Sequence, residues 1–496
     1  MSVTFNWYLL SFHIFLVFTT LNLLVFGVLM SSSKTLGSPV LSQIFSILVL
    51  ETLCLSMLLL IFQIPISTYF LNGFLLSNFF TYFSNFFLLI FSISITSLSF
   101  SYLEIQKIHF FEFWILLLLS VIAISFVIHS FDLLSIYISI EFQSLIFYIL
   151  ASLNRTSEFS TEAGLKYFIL GAFSSAFLLI GFALLYSLTG VSNLLDFSKL
   201  CSGFTNFDLN FTLGLSLGLI FSLSAFLFKF NSAPFHFWSP DVYDGVPLPV
   251  TAIFAILPKI ALAGLFLKLL FFSFLIFQPL INYFIIISCF LSSIIGISGT
   301  FLQVKWKRFI AYSSIGHSSF ILLSFASNDF LAIESTFFFL IVYSAMSLLF
   351  FFVISNLRFL KFPNQKFLRF ISGIKNISIS NTMLAFYILV LMFSLAGIPP
   401  LAGFFSKFFI LLTALKSNLF GLSLVLIALN CLASFYYVKF TKIMYFDFKH
   451  NQFVLVPMNK ANSIFSALLT IFLLLLITDL DFLIALSKLL TLSLIN

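Results

Sequence analysis

Apolar residues run along most of this chain in stretches of about twenty, separated by short polar or charged connections. About 20 apolar residues in a helix cross the roughly 30 Å hydrocarbon core of a bilayer. The stretches do not alternate apolar with polar positions, as strands of a membrane barrel do. The pattern predicts spans at 5–30, 40–62, 77–101, 110–128, 131–152, 163–188, 210–243, 247–271, 279–302, 308–326, 330–356, 381–415, 419–445 and 462–487. This describes an all-α polytopic membrane protein of about 14 transmembrane helices. The first run, Phe5 to Met30, is too long for the core of a signal peptide and reads as the first span. The seventh and twelfth segments are long and interrupted, one at Ala233-Pro234 and the other at Gly397-Ile398-Pro399-Pro400. Proline removes a backbone donor and breaks the hydrogen-bond ladder. Pro234, Gly397, Pro399 and Pro400 therefore mark discontinuous helices, which at membrane depth survive only inside protein or beside water.

Composition supports the membrane reading. Of 496 residues 61% are hydrophobic and 8% charged, too few charges for a soluble surface and too many apolar groups for disorder. The 76 phenylalanines suit the codon bias of an AT-rich organelle genome, a statement about origin rather than mechanism. Cys54, Cys201, Cys289 and Cys431 lie far apart without metal-ligand spacing and read as buried apolar residues. The net charge of +7 reports orientation before partners. The odd-numbered loops hold Lys34, Lys107, Arg155, Lys166, Lys305, Lys307, Arg308, Arg358, Lys361, Lys366, Arg369, Lys375, Lys439, Lys442, Lys449 and Lys460. The even loops and the C-terminal tail hold only Lys199, Lys416 and Lys488. By the positive-inside rule the odd loops face the negative compartment and both termini face the other side.

The two breaks lie five helices apart. Two units, helices 4–8 and 9–13, would place one break in each. An odd number of helices per unit inverts the second copy, the arrangement many transporters build around a midplane site. The alternative is two unrelated proline kinks. The repeat reading divides the chain into a three-helix segment at 1–109, five-helix repeats at 110–275 and 276–450, and a C-terminal helix at 451–496.

Four of the ionisable residues inside spans stand out: Glu141 in Ile138-Ser-Ile-Glu-Phe-Gln143, Lys229 before the first break, Lys259 after Pro258, and Lys407 after the second break. A charge at bilayer centre costs roughly 2.5–3.5 kcal/mol on insertion scales, so such groups are paired, hydrated or neutral. Snorkelling to an interface is the plain alternative, but each of these lysines has several apolar residues on both sides. A carboxylate stabilises the ammonium and desolvation favours the amine, so a row of such lysines linked by hydroxyls can pass a proton sideways. Ser313, Ser314, His317 and Tyr343 could supply links, and Ser344 lies beside them. His236 lies just beyond the first break, where it could line a cavity, while packing explains His317 as readily as relay. Glu51 and Glu334 also read as buried acids; Glu334 is near a helix start, and Glu51 has no evident partner in the chain. There is no Walker A motif, dinucleotide fingerprint, CxxC or haem-spaced histidine pair, so the chain is expected to bind no cofactor and no metal. Lipid, not nucleic acid, is its expected surrounding.

The run Lys229-Phe-Asn-Ser-Ala-Pro-Phe-His-Phe-Trp-Ser-Pro-Asp-Val-Tyr-Asp-Gly-Val-Pro-Leu-Pro-Val-Thr-Ala252, with Pro258-Lys259, Ala311-Tyr-Ser-Ser-Ile-Gly-His317 and Leu395-Ala-Gly-Ile-Pro-Pro-Leu-Ala-Gly-Phe-Phe-Ser-Lys407, resembles the antiporter-like membrane subunits of proton-pumping NADH:quinone oxidoreductase, respiratory complex I. These motifs span about 140 to 410. Pro240-Asp-Val-Tyr-Asp-Gly245 and the lysine at 407 resemble the N-type branch, whose sister subunits usually carry a glutamate in the twelfth helix. The three N-terminal helices, lacking in animal members, point to a plant-like, protist-like or bacterial type. The resemblance implies that Glu141 and Lys229 form the pair on the fifth and seventh helices, that Lys259 is the central relay lysine, and that Lys407 is the terminal one. It implies NADH, FMN, iron–sulfur clusters and ubiquinone in other subunits of the parent complex, other membrane-arm subunits as partners, and a mitochondrial inner membrane with both termini toward the intermembrane space. A subunit of a multisubunit cation/proton antiporter is the competing reading, since it shares the fold and the lysines.

Overall fold

The computed structural model describes residues 2–31, 39–203, 209–361, 364–375, 377–447 and 456–495. Lys34 and Lys449, counted above for orientation, lie outside the described residues. In chain order the helices are α1 (Ser2–Met30), α2 (Pro39–Ile61), α3 (Phe79–Gln106), α4 (Glu112–His129), α5 (Leu133–Ala151), α6 (Glu158–Thr189), α7 (Leu194–Gly203), α8 (Leu209–Lys229), α9 (Trp238–Gly245), α10 (Leu248–Lys268), α11 (Gln278–Phe301), α12 (Trp306–Ser327), α13 (Phe330–Asn356), α14 (Ile377–Ser380), α15 (Thr382–Ala396), α16 (Ala402–Lys416), α17 (Phe420–Tyr445), α18 (Lys460–Leu475) and α19 (Leu480–Ile495). Two antiparallel hairpins join them, β1 (Thr68–Phe70) with β2 (Leu75–Ser77), and β3 (Arg358–Lys361) with β4 (Asn364–Phe367).

Among the described residues twelve helices are long and apolar enough to cross a membrane. α15 and α16 supply the predicted twelfth span in two pieces, and α8 and α9 the seventh. The last predicted span, 462–487, is not one helix: α18 and α19 meet at 92°. Hydropathy alone reports apolar length and is blind to this bend. α7 is a second addition. Its Leu194, Phe197 and Cys201 recur every three or four residues and are buried, while Asp196 and Lys199 remain exposed and pair at 3.4 Å. Only ten residues long, it is too short for a span, and it fell inside what reads as loop.

Local chemistry sets the helix ends. Asn78 accepts from the Thr81 N–H while the Thr81 hydroxyl accepts from Asn78, and Asp132 forms the same reciprocal box with Ser135. α10 and α13 form the centre; α10 is buried along its length and α13 from Ser335 onward. Around them α4 packs on α5 and α10, and α11 packs on α12 and α17; α6 packs on α8 and α9, and α13 on α15 and α16. The phenylalanines serve as core filler: Phe226, Phe230, Phe266 and Phe325 stack edge to face and tilted beneath the first break.

Two expectations of burial need correction. Glu51 is exposed on the outer face of α2, in a stripe with Ile44, Ile47, Leu55 and Leu58. Of the cysteines only Cys201 and Cys289 are buried; Cys54 is half-buried and Cys431 exposed, because α2 and α17 lie on the outside of the bundle.

Candidate functional site: a line of buried lysines

At the first break α8 stops at Lys229 and its end is re-satisfied without a continuous ladder. Ser232 donates to the Leu227 carbonyl from its N–H (3.1 Å) and its hydroxyl (2.9 Å), and the Trp238 indole donates to the Phe228 carbonyl at 3.0 Å. Asn231 takes the left-handed conformation at φ 59°, which Asn tolerates better than most residues. Its amide donates to the Ser314 hydroxyl at 3.3 Å. The break is thereby tied to α12.

Lys229 is half-buried and makes no hydrogen bond or ion pair among the described residues. The charge of Glu141 reaches it across a gap wider than an ion pair. The expected pair is thus a facing couple and not a closed bridge. Ser144 donates to Glu141 Oε2 at 3.2 Å, while Oε1 is buried without a partner. Lys259 projects from the turn of α10 that Pro258 interrupts and is 3% exposed. Its Nζ donates to the Tyr343 hydroxyl at 2.9 Å and to the Ser314 carbonyl at 3.4 Å, and sits 4.5 Å from the Tyr343 ring centroid.

His317 stands between this group and the next. Its ring centre is 5.5 Å from that of Tyr343, both of its nitrogens are buried without partners, and it lines a small cavity with Ser313, Lys407 and Asn430. That cavity holds about 20 Å³, room for roughly one water. The charges of Lys259 and Lys407 both act on the ring.

At the second break α15 ends at Ala396 and Gly397 turns the chain at φ 81°. Lys407 reaches back from α16 to the freed end. Its Nζ donates to the carbonyls of Leu395 (2.6 Å) and Ala396 (3.2 Å) and to Asn430 Oδ1 (2.7 Å). These three acceptors match the three N–H groups of an ammonium, and two of them are carbonyls at the negative end of a helix dipole.

The structure therefore joins Ser314, Lys259, Tyr343, His317 and Lys407 into one buried line, with Asn231 linking it to the segment that carries Lys229. Ser313 flanks the line through the Tyr437 hydroxyl. His236 is buried in the first break with Nδ1 unpartnered and no hydrogen bond to the lysines. Glu334 is half-buried at the start of α13 and outside the line. Sequence reasoning gave no role to Asn231, which sits inside the Lys229–Ala252 run, and missed Asn430, a single amide with no motif of its own. It also read Asp241 and Asp244 as markers only. In the structure Asp241 pairs with Lys166 (3.1 Å) and Arg308 (3.3 Å), and Asp244 with Lys305 (2.7 Å) and Arg308 (3.0 Å). This network fastens α9 to α6 and α12 at the odd-loop end. Among the described residues no group of three His, Cys, Asp or Glu could hold a metal ion.

Residues 130–433 match the family described as NADH:quinone oxidoreductase/Mrp antiporter, TM. The chain belongs to that family. A relative from Marchantia polymorpha, NADH-ubiquinone oxidoreductase chain 2, is 37% identical over 464 residues, 93% of each chain. NADH-quinone oxidoreductase subunit N of Paramagnetospirillum magneticum is 35% identical over 383 residues, 76% of each. Both belong to the chain 2/subunit N branch of the family, and so does this chain. A chain of respiratory complex I from Thermus thermophilus superposes with a TM-score of 0.78 at 23% identity, covering 96% of this chain and 98% of that one, which establishes the shared antiporter-like membrane fold. All the lysines of the buried line lie inside the matched family segment.

Proposed function

We propose that this chain is a proton-translocating membrane-arm subunit of NADH:ubiquinone oxidoreductase, and that Glu141, Lys229, Lys259 and Lys407 carry the proton. Membership of the chain 2/subunit N branch supplies the complex. The observation that carries the mechanism is the near-continuous line from Ser314 through Lys259, Tyr343 and His317 to Lys407. Each lysine there meets neutral acceptors and no carboxylate, so a proton can move without breaking a buried ion pair, a step that costs roughly 3–5 kcal/mol when one charge is stranded.

In this reading a change at the Glu141–Lys229 couple alters the charge felt along the line. The proton then passes by way of Lys259, the Tyr343 hydroxyl, the His317 ring and water in the adjoining cavity to Lys407. His236 serves as an entry group at the first break. The redox chemistry lies elsewhere: NADH, FMN, iron–sulfur clusters and ubiquinone are assigned to other subunits. The packing of α4 on α5 and α10, repeated by α11 on α12 and α17, supports two inverted repeats at 110–275 and 276–450, between segments 1–109 and 451–496. The membrane is the mitochondrial inner membrane, with both termini toward the intermembrane space. The exposed Glu51 stripe of α2 faces a neighbouring membrane-arm subunit or lipid.

The test is co-purification with an NADH-oxidising assembly, followed by Glu141→Gln in that assembly. The expected outcome is intact assembly with proton pumping lost. Pumping at the normal ratio of protons to NADH would remove the Glu141–Lys229 couple from the mechanism.

A further inference from the structure

A second cluster of buried basic groups lies away from the line. Lys268, the last residue of α10, is 1% exposed. It follows Lys259 by nine residues, two and a half helical turns, so it points from the opposite face about 14 Å along the axis. Its Nζ donates to the Ile128 carbonyl and to the Ser130 carbonyl at 3.5 Å, with the Phe80 ring 5.7 Å away. Between those two acceptors in sequence is His129. Its Nδ1–H donates to the Leu76 carbonyl at 2.9 Å, and its Nε2 accepts from the Asn85 amide at 2.8 Å. The His13 ring of α1 lies 4.9 Å from that of His129, buried, with neither nitrogen partnered.

Three buried polar atoms here lack partners: both nitrogens of His13 and Asn85 Oδ1. Such atoms are rare in folded proteins and call for an explanation. No carboxylate balances the bases. Asp132 is occupied with the Leu134 N–H and the Ser192 hydroxyl, and makes no ion pair with Lys268. Three basic groups packed in one site without an acid among the described residues repel one another's protons.

We propose that Lys268, His129 and His13 form a proton-exchange site at the even-loop end of the bundle, covered by the β1–β2 hairpin. α1 and α3 begin at that end and α4 and α10 finish there, which brings His13, Asn85, His129 and Lys268 together. The arrangement serves both protonation states of His129. With Nε2 bare, Asn85 presents its amide N–H. When the ring takes a proton at Nε2, a half-turn of the amide presents the unpartnered Oδ1 to the new N–H. The proton comes from the Lys268 ammonium, which becomes the amine, or from His13, which becomes neutral. Phe70, 5.9 Å from the His129 ring, and Leu76 place the hairpin between the site and the even-loop side, and its opening would admit water. Because Lys259 and Lys268 share one buried helix, a positive charge at either weakens the hold on a proton at the other.

This inference rests on the proton-translocation reading, and the test separates the two. In inner-membrane vesicles containing the whole complex, protons pumped per NADH are measured between about pH 6 and 8 on the even-loop side. His13→Phe removes a ring that makes no hydrogen bond and sits between Phe12 and Phe126. Lys268→Arg keeps donors for the two carbonyls but never releases a proton. Both variants are expected to pump roughly half as many protons per NADH or fewer, with a flattened pH profile. A normal ratio and profile in His13→Phe overturns the proposal whatever Lys268→Arg does, because a lysine that merely caps α4 would behave that way. If Lys268→Arg does not assemble, His13→Phe decides. Lys259→Met in the same vesicles reports on the parent reading: lost pumping there beside a normal His13→Phe sinks this site alone, and normal pumping in Lys259→Met sinks both.

Discussion

Tyr343→Phe isolates one contact of the line. The hydroxyl is the short acceptor for Lys259 at 2.9 Å; the Ser314 carbonyl is at 3.4 Å and the ring face at 4.5 Å. Phenylalanine keeps the ring, its stacking on Phe339 at 6.2 Å and its contact with His317. The substitution therefore removes the hydrogen bond from Lys259 and the hydroxyl's contact with the Ser314 side chain, and leaves the ring packing in place. Such a bond contributes about 1.5–3 kcal/mol, which at about 1.4 kcal/mol per decade is a factor of roughly ten to a hundred. The remaining two contacts place the expected value near ten. The charged state of Lys259 becomes rarer by that factor, and NADH-driven pumping that must pass through it slows accordingly. The assay is acidification of inner-membrane vesicles during NADH oxidation, with quinone reduction followed in the same sample and the assembled complex quantified. Pumping by Tyr343→Phe within about twofold of the unmodified complex, a difference under roughly 0.5 kcal/mol, would refute the role of this bond.

Lys407→Arg should assemble, since a guanidinium also offers donors to the Leu395 and Ala396 carbonyls, yet stop proton release because arginine does not deprotonate; normal pumping would make Lys407 a fixed electrostatic element. Gly403→Ala would place a methyl 1.8 Å from the Ser394 carbonyl oxygen. α16 must then move off α15, at a cost of about 1–3 kcal/mol or more, visible as reduced assembled complex on native gels; an unchanged yield would contradict the close approach of these two helices. The basic loop at 357–380 should be cut by protease added from the matrix side, and cleavage from the intermembrane side instead would invert every orientation stated here.

Most of the spans and their order could be read from the sequence because the bilayer imposes a length on each apolar run. The broken seventh and twelfth helices were equally legible, since proline removes a donor wherever it stands. The candidate lysines stood out because a charge in an apolar run is costly and therefore rarely accidental. What linear sequence does not carry is which face each side chain takes and what meets it there. The bend between α18 and α19 occurs inside a run that remains apolar throughout. Lys268 sits in the same helix as Lys259, yet only packing shows that nine residues turn it toward α4 and α3. Glu51 and Glu141 both look like isolated acids within spans; the fold turns Glu51 outward and brings Glu141 within electrostatic reach of Lys229. Asn231 and Asn430 acquire meaning only when α12 and α16 arrive beside them. Hydrophobic length and charge cost are properties of a segment alone and were determined before folding. A buried line of polar groups belongs to several helices at once, and only their packing decided it.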